Sequence, residues 1–324
     1  MLIPMLFSLR YTPIAMYLKT GDVVQGILHN LERHPDFSFL TDIAPAVSEL
    51  SHEWNPTLHF TAREADADLP VVIKVGVAEA EMYWTKHLSS AAPDLFPKLF
   101  TVGHLPAQAD GEEPGFIVSE RIPYTLTGPT WEGKQRDMLL DAGALFHQAA
   151  RNVVTRHVAP LPISEVKRWL PDGCSNNPPG DWQSIQAHAE EDYAWLRQAC
   201  PFEVCHGDLH VGNALSRTPP PDGTALLIDL NPVLQPWVFD AAWVEVVAWG
   251  DHSRLGTGYT IRRLAERRTS LGLDVLPADV QERAGRIALS WLAIRIWDLD
   301  HLEFMPGLKK ATEDCINSGA TVQR

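Results

Sequence analysis

The segment of residues 204–215, Val-Cys-His-Gly-Asp-Leu-His-Val-Gly-Asn-Ala-Leu, constrains this chain more than any other part of its sequence. It places Asp208 on a tight loop, five residues before Asn213. The run Pro-Pro-Pro-Asp-Gly at 219–223 predicts a hairpin whose second strand ends at Asp229 and returns it beside the loop. A carboxylate in such a loop can accept a proton from a hydroxyl, and a second carboxylate with an amide oxygen suits Mg²⁺. The spacing therefore predicts a site for phosphoryl transfer.

The pattern His-Gly-Asp-Leu-His-x-Gly-Asn, followed by a strand ending Ile-Asp, resembles the aminoglycoside phosphotransferase and choline kinase superfamily. These are small-molecule kinases with a protein-kinase-like fold. The resemblance covers about residues 40–305 and is strongest over 204–230. It implies that Asp208 is the catalytic base, that Asn213 and Asp229 bind magnesium, and that ATP and Mg²⁺ are the cofactors.

The same interpretation requires a lysine on a strand, where it meets the phosphates of ATP, and a glutamate on the next helix to hold it. Lys74 lies in the β-branched run Val71–Val75, and the helix that follows offers Glu79 and Glu81. Glu81 lies seven residues before Leu88, a spacing that resembles the Glu-x6-Leu helix of the family. We therefore prefer Glu81 and keep Glu79 as the alternative.

Two further parts of a nucleotide site follow from the resemblance. Residues 116–122 resemble the hinge of the family, where Ser119 and Arg121 would supply a backbone carbonyl and amide to adenine. The turn at 51–56 contains no glycine, although a kinase usually carries a glycine-rich loop there. Ser51 is the nearest residue that could meet the phosphates instead.

Hydrophobic periodicity and the resemblance together predict the architecture. Over residues 40–120, alternating apolar positions indicate a mostly antiparallel sheet with one helix, the first two strands being 44–50 and 57–63. The remainder is mainly helical. We expect an α+β chain with a bilobal protein-kinase-like fold. The N-terminal lobe, residues 1–120, would carry the nucleotide-binding sheet, and the mostly helical C-terminal lobe, residues 121–324, the catalytic loop and acceptor site.

Asp240 matches a family aspartate at the start of a helix, which the sequence predicts at 240–249. We expect it to cap this helix and to tie down the catalytic loop. That role is structural rather than catalytic.

The acceptor is expected to meet the C-terminal helices, where carboxylates stand beside tryptophans. The residues are Trp243, Glu245, Trp249 and Asp251, then Trp291, Trp297, Asp298, Asp300, His301 and Glu303. Carboxylates can meet ammonium groups, and indole faces stack on sugar rings or cations. We predict Trp297, Asp298, Asp300 and Glu303 as substrate-binding residues, although an amphipathic helix with a solvated acidic face gives the same pattern.

The leading acceptor is an aminoglycoside or related amino sugar. The alternative is metabolic phosphorylation of a sugar, amino sugar or amino alcohol.

The amino-acid composition of the chain narrows the classes of molecule that it is expected to bind. Lys and Arg number 27 against 41 Asp and Glu, a net charge of −14. An acidic surface repels phosphate backbones and anionic lipid, so we expect a small-molecule hydroxyl acceptor, with a cationic one favoured, and no nucleic acid or membrane. Four cysteines without a Cys-x-x-Cys pair do not make a disulfide framework, which favours the cytoplasm. The oligomeric state is expected to be monomer or dimer.

Two other classes of function remain as alternatives. His206, Asp208 and His210 form a His-x-Asp-x-His run with Cys205 beside it, which could hold a metal ion in a hydrolase. Such a hydrolase needs further His or Asp metal ligands at the ends of later strands. It has no need for the pair Gly212 and Asn213. A pseudokinase that only binds a ligand is disfavoured because the lysine, the base and both metal-binding residues are all present.

Overall fold

The structure is a computed structural model that describes residue 29 and residues 41–45, 57–64, 67–105, 113–126, 134–161, 182–246 and 258–297. The chain divides into two compact units, residues 1–123 and 124–324. Most of the described strand residues lie in the first unit and most of the described helices in the second, and this segregation confirms the predicted α+β class. Among the described residues, no helix combines the length and apolar character needed to cross a bilayer.

The first unit is built on a sheet of five strands, β1 Thr41–Pro45, β2 Thr57–Glu64, β3 Ala67–Val77, β4 Leu99–His104 and β5 Gly115–Glu120. Their order in the sheet is β1-β2-β3-β5-β4, and every neighbouring pair is antiparallel. Helix α1, Glu79–Ala91, follows β3 directly.

The first strand begins earlier than predicted. β1 covers Thr41–Pro45, whereas the predicted strand began at residue 44, and residues 46–50 lie outside the described part of the chain. β1 is an edge strand of the described sheet, and Pro45 lies opposite Phe60 of β2.

The faces of β3 have different roles. Val71, Ile73 and Val75 are fully buried on one face, and alternation puts Lys74 on the other. Lys74 pairs with Ile117 of β5, and Ile117 packs in a cluster with Met82 of α1. Because paired residues share a face, the lysine faces the side of the sheet on which α1 lies.

The second unit is mostly helical. Its helices are α2 Lys134–Ala150, α3 Trp182–Ala199, α4 Val238–Val246, α5 Tyr259–Ser270 and α6 Ala278–Trp297. Two small antiparallel sheets join β7 Glu203–Cys205 to β10 Val233–Gln235, and β8 Ala214–Ser216 to β6 Tyr124–Thr125 and β9 Leu226–Leu227. Every residue of α4 is buried, and this helix packs against α5 and α6.

Candidate active site

The catalytic loop predicted from the sequence follows β7 in the second unit. It runs from His206 to His210 and ends in a short 3₁₀ turn, Val211–Asn213. His210 begins this turn, and its Nδ1 accepts a hydrogen bond from the Gly212 amide at 3.0 Å. The loop is thus fixed by a strand on one side and a capped turn on the other.

Asp208 and Asn213 are in direct contact. The Asn213 side-chain Nδ2 donates to Asp208 Oδ2 at 2.9 Å and to the Asp208 backbone carbonyl at 3.0 Å. The amide nitrogen of Asn213 is therefore engaged by Asp208, which leaves the amide oxygen as the group of Asn213 that can bind a cation. This is the donor type that Mg²⁺ prefers.

The other carboxylate oxygen of Asp208 contacts α4. Trp243 Nε1 donates to Asp208 Oδ1 at 2.8 Å, and His210 Nε2 lies 3.7 Å from Oδ2. Burial raises the pKa of Asp208, but His210 and Trp243 outweigh that effect and hold the pKa below its usual range. The carboxyl group is therefore ionised at neutral pH, the state in which it can accept a proton.

The hairpin returns Asp229 beside the loop as predicted, although β9 ends at Leu227, two residues before Asp229, where the sequence had placed the end of the strand. Strands β8 and β9 pair antiparallel, with Ala214 opposite Leu227. On either side of Asp229, the Ile228 amide donates to the Asn213 carbonyl and the Asn231 amide donates to the His206 carbonyl, both at 3.0 Å. These two bonds bring the backbone at Asp229 against both ends of the catalytic loop.

Gly207 permits this close approach. Its φ is +78°, and a Cβ atom there would lie 1.9 Å from the Asn231 carbonyl oxygen. Only glycine fits both the backbone conformation and the space. The Gly in the His-Gly-Asp motif is therefore what allows the segment between β9 and β10, which carries Asp229 and Asn231, to pack on the loop.

Asp240 ties down the loop, although it is not the cap of a helix. Its Oδ2 accepts from the His206 amide at 2.8 Å and its Oδ1 from the Gly207 amide at 3.0 Å. Helix α4 begins at Val238, two residues earlier than predicted, so the N-cap assignment is wrong. The helix begins early because the chain already turns after Pro236, whose carbonyl accepts from the Phe239 amide.

A buried network of hydrogen bonds and an ion pair holds the Asp240 carboxylate in place. His147 Nε2 lies 3.1 Å from Asp240 Oδ2, and His147 Nδ1 lies 2.9 Å from Arg268 Nη1. Arg268 can only donate, so Nδ1 accepts and Nε2 carries the proton that points at Asp240. Arg268 also pairs with Glu203 at 2.7 Å. Burial raises the pKa of Asp240, but its contacts with His147 and His206 hold that pKa below its usual range.

The metal-hydrolase alternative gains no support from these contacts. His147, Cys205 and Asp240 offer potential ligand atoms within 4.8 Å of one another. Both ring nitrogens of His147 are engaged, however, and burial raises the pKa of the Cys205 thiol well above its usual value. His206, which that alternative needs as a ligand, is fully buried and accepts from the Asp208 amide through Nδ1 at 3.3 Å.

Three residues expected near the acceptor have other roles. Trp243 holds Asp208, as described above. Glu245 is buried and accepts from the Gly258 amide and from the amide and hydroxyl of Thr260, so it caps the start of α5. Trp291 is fully buried and packs 5.9 Å from the Phe239 ring, centroid to centroid. Spacing alone could not separate these core and capping roles from substrate binding.

Several predicted site residues lie outside the described part of the chain, namely Ser51, Asp298, Asp300 and Glu303, together with Trp249, Asp251 and His301. Trp297 is the last residue of α6, and its side chain is likewise outside the described part.

The predicted lysine and glutamate meet in the first unit. Lys74 Nζ lies 2.6 Å from Glu81 Oε1, and both side chains are about nine-tenths buried. Glu79, the alternative partner, contacts His104 Nε2 at 2.5 Å and is largely exposed. The structure therefore pairs Lys74 with Glu81, as the helix spacing indicated.

The predicted adenine contacts need a correction. The Arg121 amide donates to the Pro70 carbonyl at 3.0 Å, so it is already used within the sheet. In an antiparallel pair of strands, every second residue is hydrogen-bonded to the residue opposite it. Because Arg121 is bonded to Pro70, the residue two positions earlier, Ser119, is bonded to Val72 opposite it. The Ser119 backbone is therefore also engaged with β3. The hydrogen bond from Arg121 lies one residue beyond the end of β5, and the next residue with an N–H is Ile122.

No protein-family model matches the sequence, and no curated protein matches it. The fold does match solved structures of small-molecule kinases. Amicoumacin kinase hAmiN, in complex with AMP-PNP, Ca²⁺ and Ami, gives a TM-score of 0.57 at 16% identity, covering 92% of this chain and 95% of that chain. Choline kinase LicA from Streptococcus pneumoniae gives 0.52 at 12%, covering 92% and 100%.

An aminoglycoside phosphotransferase from Alicyclobacillus acidocaldarius also gives a TM-score of 0.52 at 12% identity, covering 87% of this chain and 92% of that chain. At such identities the likeness concerns the fold. The chain has the fold of these small-molecule kinases, which is the fold that the motif at residues 204–230 indicated.

Proposed function

We propose that this protein is an ATP-dependent phosphotransferase that moves the γ-phosphoryl group of ATP to a hydroxyl of a small molecule. The observation that carries the proposal is the arrangement at one loop of an ionised Asp208, the Asn213 amide bonded to it, and the backbone contacts that return Asp229. The kinase fold supports it independently.

Asp208 has the role of the base. It accepts the proton of the acceptor hydroxyl as the acceptor oxygen bonds to the γ-phosphorus and the bond to ADP breaks. The low pKa favours the charged form of this carboxylate at neutral pH. Its contribution is orientation together with proton acceptance, since a loose transition state needs little driving force from a strong base.

Asn213 and Asp229 fit a magnesium ion. The Asn213 amide nitrogen is committed to Asp208, so the amide presents its oxygen, and Asp229 adds a carboxylate, both hard ligands. When bound, the ion neutralises charge on the phosphates. The two residues would hold it beside the base because the same backbone bonds fix both of them.

Lys74 would meet the phosphates of ATP. The buried ion pair with Glu81 holds the ammonium group in place before any nucleotide arrives. The adenine would accept a hydrogen bond from the backbone amide of Ile122 rather than from that of Arg121, because the Arg121 amide donates to the Pro70 carbonyl.

The acceptor that we propose is a hydroxyl compound that also carries an amine or ammonium group, an aminoglycoside or amino sugar first. The net charge of −14 favours a cation. The matched folds include an aminoglycoside phosphotransferase and a choline kinase at equal TM-score, so an amino alcohol is the alternative within the same chemistry.

ADP release over a panel of acceptors tests the proposal. The purified protein is assayed with ATP and Mg²⁺ against aminoglycosides, amino sugars, choline, ethanolamine and neutral sugars. We expect ADP release above the rate measured without acceptor. We also expect Asp229→Ala to abolish both this turnover and the Mg²⁺-dependent binding of ATP. Binding of ATP without turnover on any acceptor would identify a pseudokinase and contradict the proposal.

A further inference from the structure

Helix α4 presents two polar side chains to the catalytic loop. Asp240 accepts from two backbone amides of the loop, and Trp243 donates its indole N–H to Asp208 Oδ1 at 2.8 Å. Residues three apart lie on the same side of a helix, so one turn of α4 holds both the backbone and the carboxylate of the loop. The catalytic motif in the sequence contains neither residue.

The Asp208 carboxylate is held from two different elements. Trp243 binds Oδ1 from α4, and Asn213 binds Oδ2 from the 3₁₀ turn. Rotation of the carboxylate about its Cβ–Cγ bond would break both hydrogen bonds. The lone pairs that remain for an acceptor hydroxyl therefore have a fixed direction.

The indole is chemically suited to this task. It is a donor only and has no proton equilibrium near neutral pH, so it orients the carboxylate without taking or supplying the transferred proton. Trp243 is also buried within a helix whose every residue is buried. The donor is thus rigid, in contrast to a lysine on a flexible stem.

We propose that Trp243 is a positioning residue for Asp208, which it holds in the orientation that accepts the proton of the acceptor hydroxyl. The inference rests on the proposed phosphotransferase function. It assigns to the indole a role in turnover and none in binding ATP.

Two substitutions at this position separate positioning from packing. Trp243→Phe keeps an aromatic ring but removes the N–H. Trp243→His keeps an N–H at the equivalent place in a five-membered ring but loses more apolar volume. If the N–H matters, Trp243→Phe lowers kcat by about tenfold to hundredfold with the ATP KM unchanged. Trp243→His, assayed at pH 8, which is above the ordinary imidazole pKa of about 6.5, recovers most of that loss although it is the less stable protein.

Trp291→Phe is the matched control. Trp291 is fully buried in α6, and its indole nitrogen has no hydrogen-bond partner among the described residues. This variant makes the same chemical change in the core without touching Asp208. We expect its kcat to stay within about twofold of wild type.

The kinetics can overturn the proposal. If Trp243→Phe retains kcat within about twofold, or if the two Trp243 variants lose activity in the order of their thermal stability, Trp243 only packs the core.

An NMR measurement tests the contact without relying on turnover. In protein labelled with ¹⁵N-tryptophan, the indole signal absent from Trp243→Phe is that of Trp243. We expect Asp208→Asn to shift this signal and to leave the Trp291 signal in place. An unmoved Trp243 signal overturns the proposal directly. If the signal moves but no acceptor in the panel is phosphorylated, the proposed function fails, and the positioning role fails with it while the contact stands.

Discussion

Glu79 and Glu81 lie on the same helix yet have different partners, and this difference gives a test at the scale of single residues. Glu81→Gln keeps an oxygen that can accept from Lys74 but removes a buried charge beside it. We expect the ATP KM to rise about threefold to tenfold, since Lys74 is then less firmly held for the phosphates.

Glu79→Gln is the control on that helix because its carboxylate is largely exposed and pairs with His104. It should leave the ATP KM unchanged. Equal effects of the two substitutions, measured by steady-state kinetics with varied ATP, would contradict the assignment of Glu81.

Asp240 allows a prediction about stability and its dependence on pH. Asp240→Asn cannot accept all the N–H groups that the carboxylate accepts, so a buried donor loses its partner. We expect the free energy of unfolding to fall by about 2–4 kcal/mol at pH 7, as measured by urea denaturation.

The pH dependence of that loss has a definite sign. The pKa of Asp240 is lower in the folded protein than in the unfolded chain, so its contribution is fully present above the unfolded value of about 4 and declines as the pH falls below it. The difference between wild type and Asp240→Asn should therefore be constant from pH 7 to about 5 and shrink below about 4. A difference that grows as the pH falls would contradict this account.

At the scale of elements, the packing of the segment between β9 and β10, which carries Asp229, on the catalytic loop depends on Gly207. Gly207→Ala would place a Cβ against the Asn231 carbonyl in a backbone conformation that alanine disfavours. We expect kcat to fall by about a hundredfold, because a displacement of about 1 Å at the loop misaligns the proposed base and the proposed metal ligands.

Gly272→Ala provides the control for this prediction. Gly272 also has a positive φ, +70°, but nothing lies within 4 Å of the added Cβ. It should lose about 1 kcal/mol of stability through backbone strain and keep its kcat. Similar kinetic losses in both variants would show that strain alone, rather than the contact with Asn231, explains the effect.

The elements that the sequence predicts well are those defined by nearby residues. Lys74 on its strand, Glu81 on the next helix, and the Asp208 loop with its hairpin depend on spacings of a few residues, which turn and strand preferences specify directly. Strand limits are less well predicted, because the end of a strand depends on its neighbour. The Arg121 amide is engaged only because Pro70 stands opposite it.

Among contacts between distant residues, the family resemblance predicted that Asp240 ties down the loop, but local patterns could not predict others. Trp243 and Asp208 are 35 residues apart, and an indole beside a carboxylate in the sequence looked like part of an acceptor site. The interaction arises only once α4 packs behind the loop. The same holds for Glu245, whose carboxylate caps α5 after the chain has folded back.

At the scale of the whole molecule, the excess of negative charge predicts how the acceptor responds to salt. If the acceptor is cationic, screening by added salt should raise its KM, while kcat at saturation changes little. The double change Asp298→Asn with Asp300→Asn should mimic high salt and flatten the remaining dependence. Each exposed pair is worth only about 0.2–1 kcal/mol, so several must act together for a clear effect.

A neutral acceptor would show neither effect, and it serves as the control in the same assay. If the best acceptor is uncharged, or if its KM responds neither to salt nor to the double substitution, the aminoglycoside proposal fails. Metabolic phosphorylation of a neutral sugar would then be the better account of the same site.

The most direct test of the central claim, that Asp208 is the base of a phosphotransferase, is the rate of ADP release by Asp208→Asn with the best acceptor and saturating ATP and Mg²⁺. Asp222→Asn is the matched control because Asp222 is exposed in the hairpin turn. We predict that Asp208→Asn lowers kcat by about 10²- to 10⁴-fold while calorimetry finds ATP binding nearly unchanged, and that Asp222→Asn has wild-type kinetics. Turnover by Asp208→Asn within about tenfold of wild type would contradict the account.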